Sequence, residues 1–271
     1  MKAISIERSS YASVGRFTSR VGGFWFVIYG LLFGLRSADI MGPMWGFFLA
    51  FLLVASCIIM SSYEAAYMKP SGRTVVGLVV CGLTGSVVAW LPMIPGEISP
   101  LLGGLFLLLS ATALGGWLGK GISSTTHLWP LVIVVLGVDT WSVFSPEGLT
   151  HQVLEGEGTL PAYYLLMATP MPGSESIAEP LIGLGDLLMT GLLVGAVVKL
   201  GLSLSRVLMG ISLGYLSCLG ALFLLEEPLP ALPFIGVLAV LMLGREARPR
   251  LKEMAYAVVF TGIIILIYGM I

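Results

Sequence analysis

The chain has 271 residues, 57% of them hydrophobic and only 11% charged, with a mean hydropathy of +0.98. A soluble domain carries about 25% charged residues, so this chain lacks the polar surface to face water on all sides. Its net charge of −1 also excludes nucleic-acid binding through an excess of positive charge. The composition predicts an all-α polytopic membrane protein.

The start, "MKAISIERSSYASVGRFTSR", is basic but leads to no small-residue cleavage site, which predicts a retained first helix and not a signal peptide. A membrane span needs about 20 apolar residues, fewer when protein shelters part of the helix. About nine transmembrane helices follow in order: 21–36, 42–62, 74–93, 99–118, 127–145, 181–199, 205–225, 231–244 and 254–271. The first and eighth are short. Connections are brief except for residues 146–180, a long loop rich in Gly, Pro and Glu; loops this long in compact proteins are functional or disordered. Within it, "PAYYLLMATP" is β-prone and bounded by prolines, which predicts a short strand near the membrane surface. No internal repeat is evident.

Lys and Arg set the expected orientation. With nine spans, the N-terminus and the even-numbered loops hold every basic residue of the 14 except Arg36. The opposite side holds Asp39, Glu97, Glu147, Glu155, Glu157, Glu175, Glu179, Glu226 and Glu227. Under the positive-inside rule the N-terminus is expected in the cytoplasm and the acidic loop outside. Cys57, Cys81 and Cys218 lie in apolar runs with no CxxC and no nearby His pair, so neither disulfides nor a metal site is expected.

Two acids fall inside predicted spans. Asp139, in "LWPLVIVVLGVDTWSVFSPEGL", precedes the outer end of the fifth by about six residues; Asp186, in "EPLIGLGDLLMTGLLVGAVVKLG", follows the outer start of the sixth by about five. Antiparallel neighbours would hold both carboxylates at similar depth, and ionisable residues within a membrane are functional by default. Gly183 and Gly185 flank Leu184 ahead of Asp186 and remove side chains there, so that another backbone or a substrate can approach. In "EEPLPALPFIG", three prolines prevent a regular helix around Pro230, Ala231 and Leu232. Such backbone is tolerated at membrane depth where it is buried in protein or lines a cavity. His127 and His151, the only histidines, are predicted at opposite membrane faces, and no activated Ser or Cys is in view.

Asp139, then Gly183-Leu184-Gly185-Asp186, then Pro230-Ala231-Leu232, in that order, resembles the presenilin and signal peptide peptidase family of GxGD intramembrane aspartyl proteases. Val143, Pro146 and Gly148 after Asp139, and Leu193–Gly195 after Asp186, extend the similarity, which covers roughly 127–244. "LPALP" matches the presenilin form of the third motif. Val138 stands where the family usually has a tyrosine, and four predicted spans precede Asp139 where the family has five. The resemblance implies a GxGD protease fold of prokaryotic type in one membrane domain, 1–271: N-terminal helices 1–126, a catalytic core 127–244 and a C-terminal helix 245–271. It implies Asp139 and Asp186 as the catalytic pair, one ionised and one protonated, with no metal or cofactor. Gly183, Leu184, Gly185, Pro230, Ala231 and Leu232 would then border the substrate, a single-span membrane protein or remnant signal peptide within the membrane lipids. Edge pairing with 163–170, 179–184 or 230–233 would present the scissile bond as a strand. A prepilin-peptidase-type GxGD protease and a proton- or cation-coupled transporter using the same aspartates are the alternatives.

Overall fold

The computed structural model describes residues 2–89, 94–96, 98–146, 148, 150–151, 166–176, 178–225 and 229–268. Nine α-helices lie among them: α1 (Lys2–Ser37), α2 (Pro43–Tyr67), α3 (Gly72–Ala89), α4 (Ser99–Gly119), α5 (Leu128–Phe144), α6 (Leu184–Leu200), α7 (Leu204–Leu225), α8 (Ala231–Leu243) and α9 (Leu251–Tyr268). Each predicted span overlaps one of them; residues 90–93 of the third and 269–271 of the ninth lie outside the described residues. The chain is a helical, polytopic membrane protein: six of these helices (α1 from Tyr11, α2, α3, α4, α5 with the turn before it, and α7) are long and apolar enough to cross a bilayer.

Three expectations change. The first helix is not the short 21–36 segment but runs from Lys2 to Ser37. The sixth segment is not helical from residue 181, because Glu179–Gly183 forms a strand and the helix begins at Leu184. The eighth helix has 13 residues, which at 1.5 Å each reach about 20 Å, short of a hydrocarbon core of about 30 Å.

The chain packs as two units. The first comprises Met1–Leu118 with Tyr164–Gly195, the second Gly119–Tyr163 with Ala196–Ile271. The boundary therefore divides the predicted 127–244 core.

In the first unit, α1 lies against α2, and the Trp25 indole donates to the Leu101 carbonyl at 2.9 Å. Small residues let α4 and α6 meet backbone to backbone. A Cβ on Gly191 would stand 2.7 Å from the Thr112 carbonyl oxygen, and one on Gly195 would collide with the Gly116 carbonyl. Gly191-x-x-x-Gly195 is thus a small-residue stripe of the kind that packs membrane helices, where lipid offers no hydrophobic drive. Ser61 and Thr112 add a buried hydroxyl pair at 2.8 Å.

This unit also holds an antiparallel hairpin, β1 (Leu166–Thr169) with β2 (Glu179–Gly183), pairing Leu166 with Gly183 and Thr169 with Glu179 around a bulge. The strand expected within 161–170 forms at Leu166–Thr169; residues 161–165 lie outside the described ones. The hairpin loop is clipped to the α1–α2 connection. Arg36 donates to the Ser174 and Glu175 carbonyls at 3.5 and 3.3 Å, and Gly173, at φ +77°, comes so close to Met41 that a Cβ would lie 2.5 Å from its carbonyl oxygen.

In the second unit, α8 packs on α7 and α5, and α5 on α9. Gly210 and Gly214 of α7 face Ala239 and Ile235 of α8; Cβ atoms there would lie 2.6 and 2.5 Å from the opposing Cα atoms. Gly201, at φ +68°, closes α6: the Leu202 amide donates to the Val197 carbonyl at 3.0 Å and the Gly201 amide to Val198 at 3.4 Å, the six-to-one and five-to-two pattern of a glycine C-cap.

Candidate active site

Asp139 belongs to the second unit. It lies on α5, five residues before Phe144, where that helix ends, and is half-buried. Its Oδ2 accepts a hydrogen bond from the Leu232 backbone amide at 3.1 Å, across 93 residues of sequence. The prolines explain why that amide is available. Pro230 is the N-cap of α8, with φ −64° and ψ 125°, and makes no side-chain cap. An α-helix starts with four amides that lack intrahelical acceptors. Pro230 and Pro233 have no N–H, so only the Ala231 and Leu232 amides remain of that set. Asp139 takes one of them and caps α8 from a different helix, with its carboxyl at the positive end of the helix dipole.

The segment after Asp139 folds back on the end of α5. Ser142 and Thr150 share a hydroxyl hydrogen bond at 2.9 Å, the Thr150 amide donates to Ser142 Oγ at 3.2 Å, and His151 Nδ1 lies 3.2 Å from the Val143 carbonyl. A Cβ on Gly148 would collide with the Ser142 carbonyl. Sequence reasoning missed Ser142 and Thr150, and placed His151 only in a loop. The available signal was their ability to bond nearby backbone and so turn the chain.

Asp186 belongs to the first unit. It is the third residue of α6, not five residues inside a membrane helix, because the chain before Leu184 is extended and paired with β1. Its Oδ2 accepts from the Gly183 amide at 3.2 Å. With Gly183 in the N-cap place, this is the return half of a capping box, in which the acid of the first turn reaches back to the N-cap amide. Asp186 makes further interactions as well. Leu184 opens the helix, Gly185 is exposed and Asp186 is half-buried. Gly183 is not forced by crowding, since a Cβ there would meet only ordinary contacts at 3.8 Å or more.

Of the expected site residues, then, Asp139 and Leu232 are joined in one unit and Gly183 and Asp186 in the other. The prolines do not keep this segment out of a regular helix as expected: Pro230 is the N-cap and α8 is helical from Ala231, because Pro233 falls in the first turn, where no intrahelical amide is needed. Pro230 is buried and Ala231 half-buried. No protein-family model, curated protein or solved structure matches the chain.

Proposed function

We propose that the chain is an intramembrane aspartyl endopeptidase of the presenilin and signal peptide peptidase type. One observation carries the reading: Asp139 accepts its hydrogen bond from the amide of Leu232, so the first and third parts of the Asp…GxGD…PAL pattern touch although they lie far apart in sequence. The capped position of Asp186 gives further support, because a Cβ on Gly183 would meet only contacts of 3.8 Å or more and Gly185 beside it is exposed.

In this reading Asp139 and Asp186 act on one water. The ionised carboxylate takes a proton as the water oxygen attacks the scissile carbonyl carbon, and the protonated carboxyl donates its proton to the carbonyl oxygen. Collapse of the resulting diol breaks the C–N bond, and a proton passes to the leaving nitrogen. Leu232 holds one oxygen of Asp139, leaving the other for this chemistry. The substrate is a transmembrane segment of a single-span protein or a remnant signal peptide, presented as an extended strand because helical amides are hidden. The β1–β2 hairpin, two-stranded among the described residues, is one place for it to pair.

Purified protein mixed with a generic single-span substrate in detergent tests the proposal, with the products read by mass. Asp139→Asn and Asp186→Asn should each abolish cleavage while the protein still expresses and folds. Substantial cleavage by either variant removes that aspartate from the mechanism. Ion uptake into proteoliposomes without any cleavage by the native chain would favour the transporter instead.

A further inference from the structure

From the end of α8 into the first turn of α9 the chain places Arg245, Arg248, Arg250 and Lys252 within eight residues, all of them exposed. The two acids of the stretch are engaged. Glu246 accepts from the Arg206 guanidinium at 2.8 Å and from the Ser203 amide at 3.0 Å, and Glu253 lies 3.8 Å from Arg250. Among the described residues, Arg245, Arg248 and Lys252 enter no ion pair. Apolar side chains stand beside these cations instead of further acids: Leu251 is 84% exposed and Tyr256 73% exposed. Unpaired cations at helix ends, next to bare apolar surface in a membrane protein, suit a ligand with an anionic head and a hydrocarbon tail. A soluble anion would leave the apolar half of this surface uncovered.

We infer that the α8–α9 connection is a binding site for anionic phospholipid of the surrounding bilayer. Arg245, Arg248 and Lys252 hold the phosphate, and Leu251 and Tyr256 lie along the acyl chains. The site is independent of the catalytic reading and is tested without a substrate. The full chain in neutral detergent is titrated with dioctanoyl phosphatidylglycerol, and bound lipid is counted by native mass spectrometry. Each cation near an anionic headgroup contributes about fivefold in affinity, so the triple variant Arg245→Gln/Arg248→Gln/Lys252→Gln should bind on the order of 100-fold more weakly. Its thermal midpoint in lipid-free detergent should match the native chain. If the triple variant does not fold, Arg248→Gln and Lys252→Gln alone should each weaken binding about fivefold. Equal binding of dioctanoyl phosphatidylcholine would overturn the proposal by showing a purely apolar site. Equal binding of glycerol phosphate would reduce it to an anion site. An equal loss in Lys69→Gln/Arg73→Gln/Lys120→Gln, which removes the same charge elsewhere, would show diffuse attraction and no site.

Discussion

At the scale of single residues, the two aspartates meet different local fields. An Asp at the centre of a membrane helix costs roughly 2.5–3.5 kcal/mol. Asp186 avoids that position by standing in the first turn of α6, where the helix dipole favours an anion by about 0.3–1 kcal/mol and the Gly183 amide donates to it. Asp139 stands near the C-terminal end of α5, where the dipole of its own helix opposes a negative charge, and the N-terminal amide of α8 offsets this. Chemistry and folding can therefore be separated at residue 186. Asp186→Asn keeps an acceptor oxygen for Gly183 and should unfold at the native temperature. Asp186→Ala removes that acceptor and should lower stability by about 0.5–2 kcal/mol, the usual range for losing a cap. Thermal unfolding in detergent reads both, and an Asn variant as unstable as the Ala variant would show that the negative charge, not the hydrogen bond, holds this turn.

At the scale of elements, the position of α8 depends on how closely α7 approaches it. A Cβ on Gly214 would lie 2.5 Å from the Ile235 Cα and 2.9 Å from the Phe234 carbonyl oxygen, whereas one on Gly220 of the same helix meets nothing. Gly214→Ala should therefore cost about 1–3 kcal/mol, as overpacking does, and Gly220→Ala should hold or slightly raise the thermal midpoint, since Ala favours a helix over Gly. Equal midpoints for the two variants would mean that α7 and α8 part without strain. Because α8 also presents Leu232 to Asp139, Ala231→Leu at its first residue should cut substrate turnover strongly without lowering the midpoint as Gly214→Ala does. Native turnover in Ala231→Leu would reduce the third motif to an ordinary helix start. These elements were unequally legible. Hydropathy located the nine α-helices among the described residues, since each is an apolar run set off by Gly, Pro or charge. It could not locate the start of α6, because Leu181 and Ile182 continue the apolar run while their backbone pairs with β1. The bond between Asp139 and Leu232 was hidden for another reason: it joins two helices far apart in sequence, and only the order of the motifs hinted at it. The capping of Asp186 was readable in principle, as a first-turn acid three residues after a glycine.

At the scale of the molecule, the open question is which way the chain faces, and Arg36 bears on it. The charge asymmetry makes Arg36 the one basic residue on the acidic side. Its guanidinium is occupied there by the Ser174 and Glu175 carbonyls of the hairpin loop, so it serves as a local clip and carries little weight as a topology signal. Arg20, midway along α1, pairs with Glu64 near the C-terminal end of α2 at 2.9 Å. Arg36 and the hairpin loop are bonded to each other, and under the positive-inside rule the remaining basic residues would be expected on the cytoplasmic side. The prediction is that the hairpin loop is extracytoplasmic and that substrates cross with their N-termini in the cytoplasm. Single cysteines test it in a chain with Cys57, Cys81 and Cys218 replaced. Ser176 suits the first probe because it is exposed, whereas the Ser174 hydroxyl is bonded to Glu179 at 2.9 Å; Ser205, also exposed, serves for the other side. A membrane-impermeant maleimide should label Ser176→Cys in intact cells and Ser205→Cys only after permeabilisation. The reverse pattern would turn the molecule over, with the hairpin facing the cytoplasm and the proposed substrate polarity inverted, while the proposed roles of the two aspartates would stand.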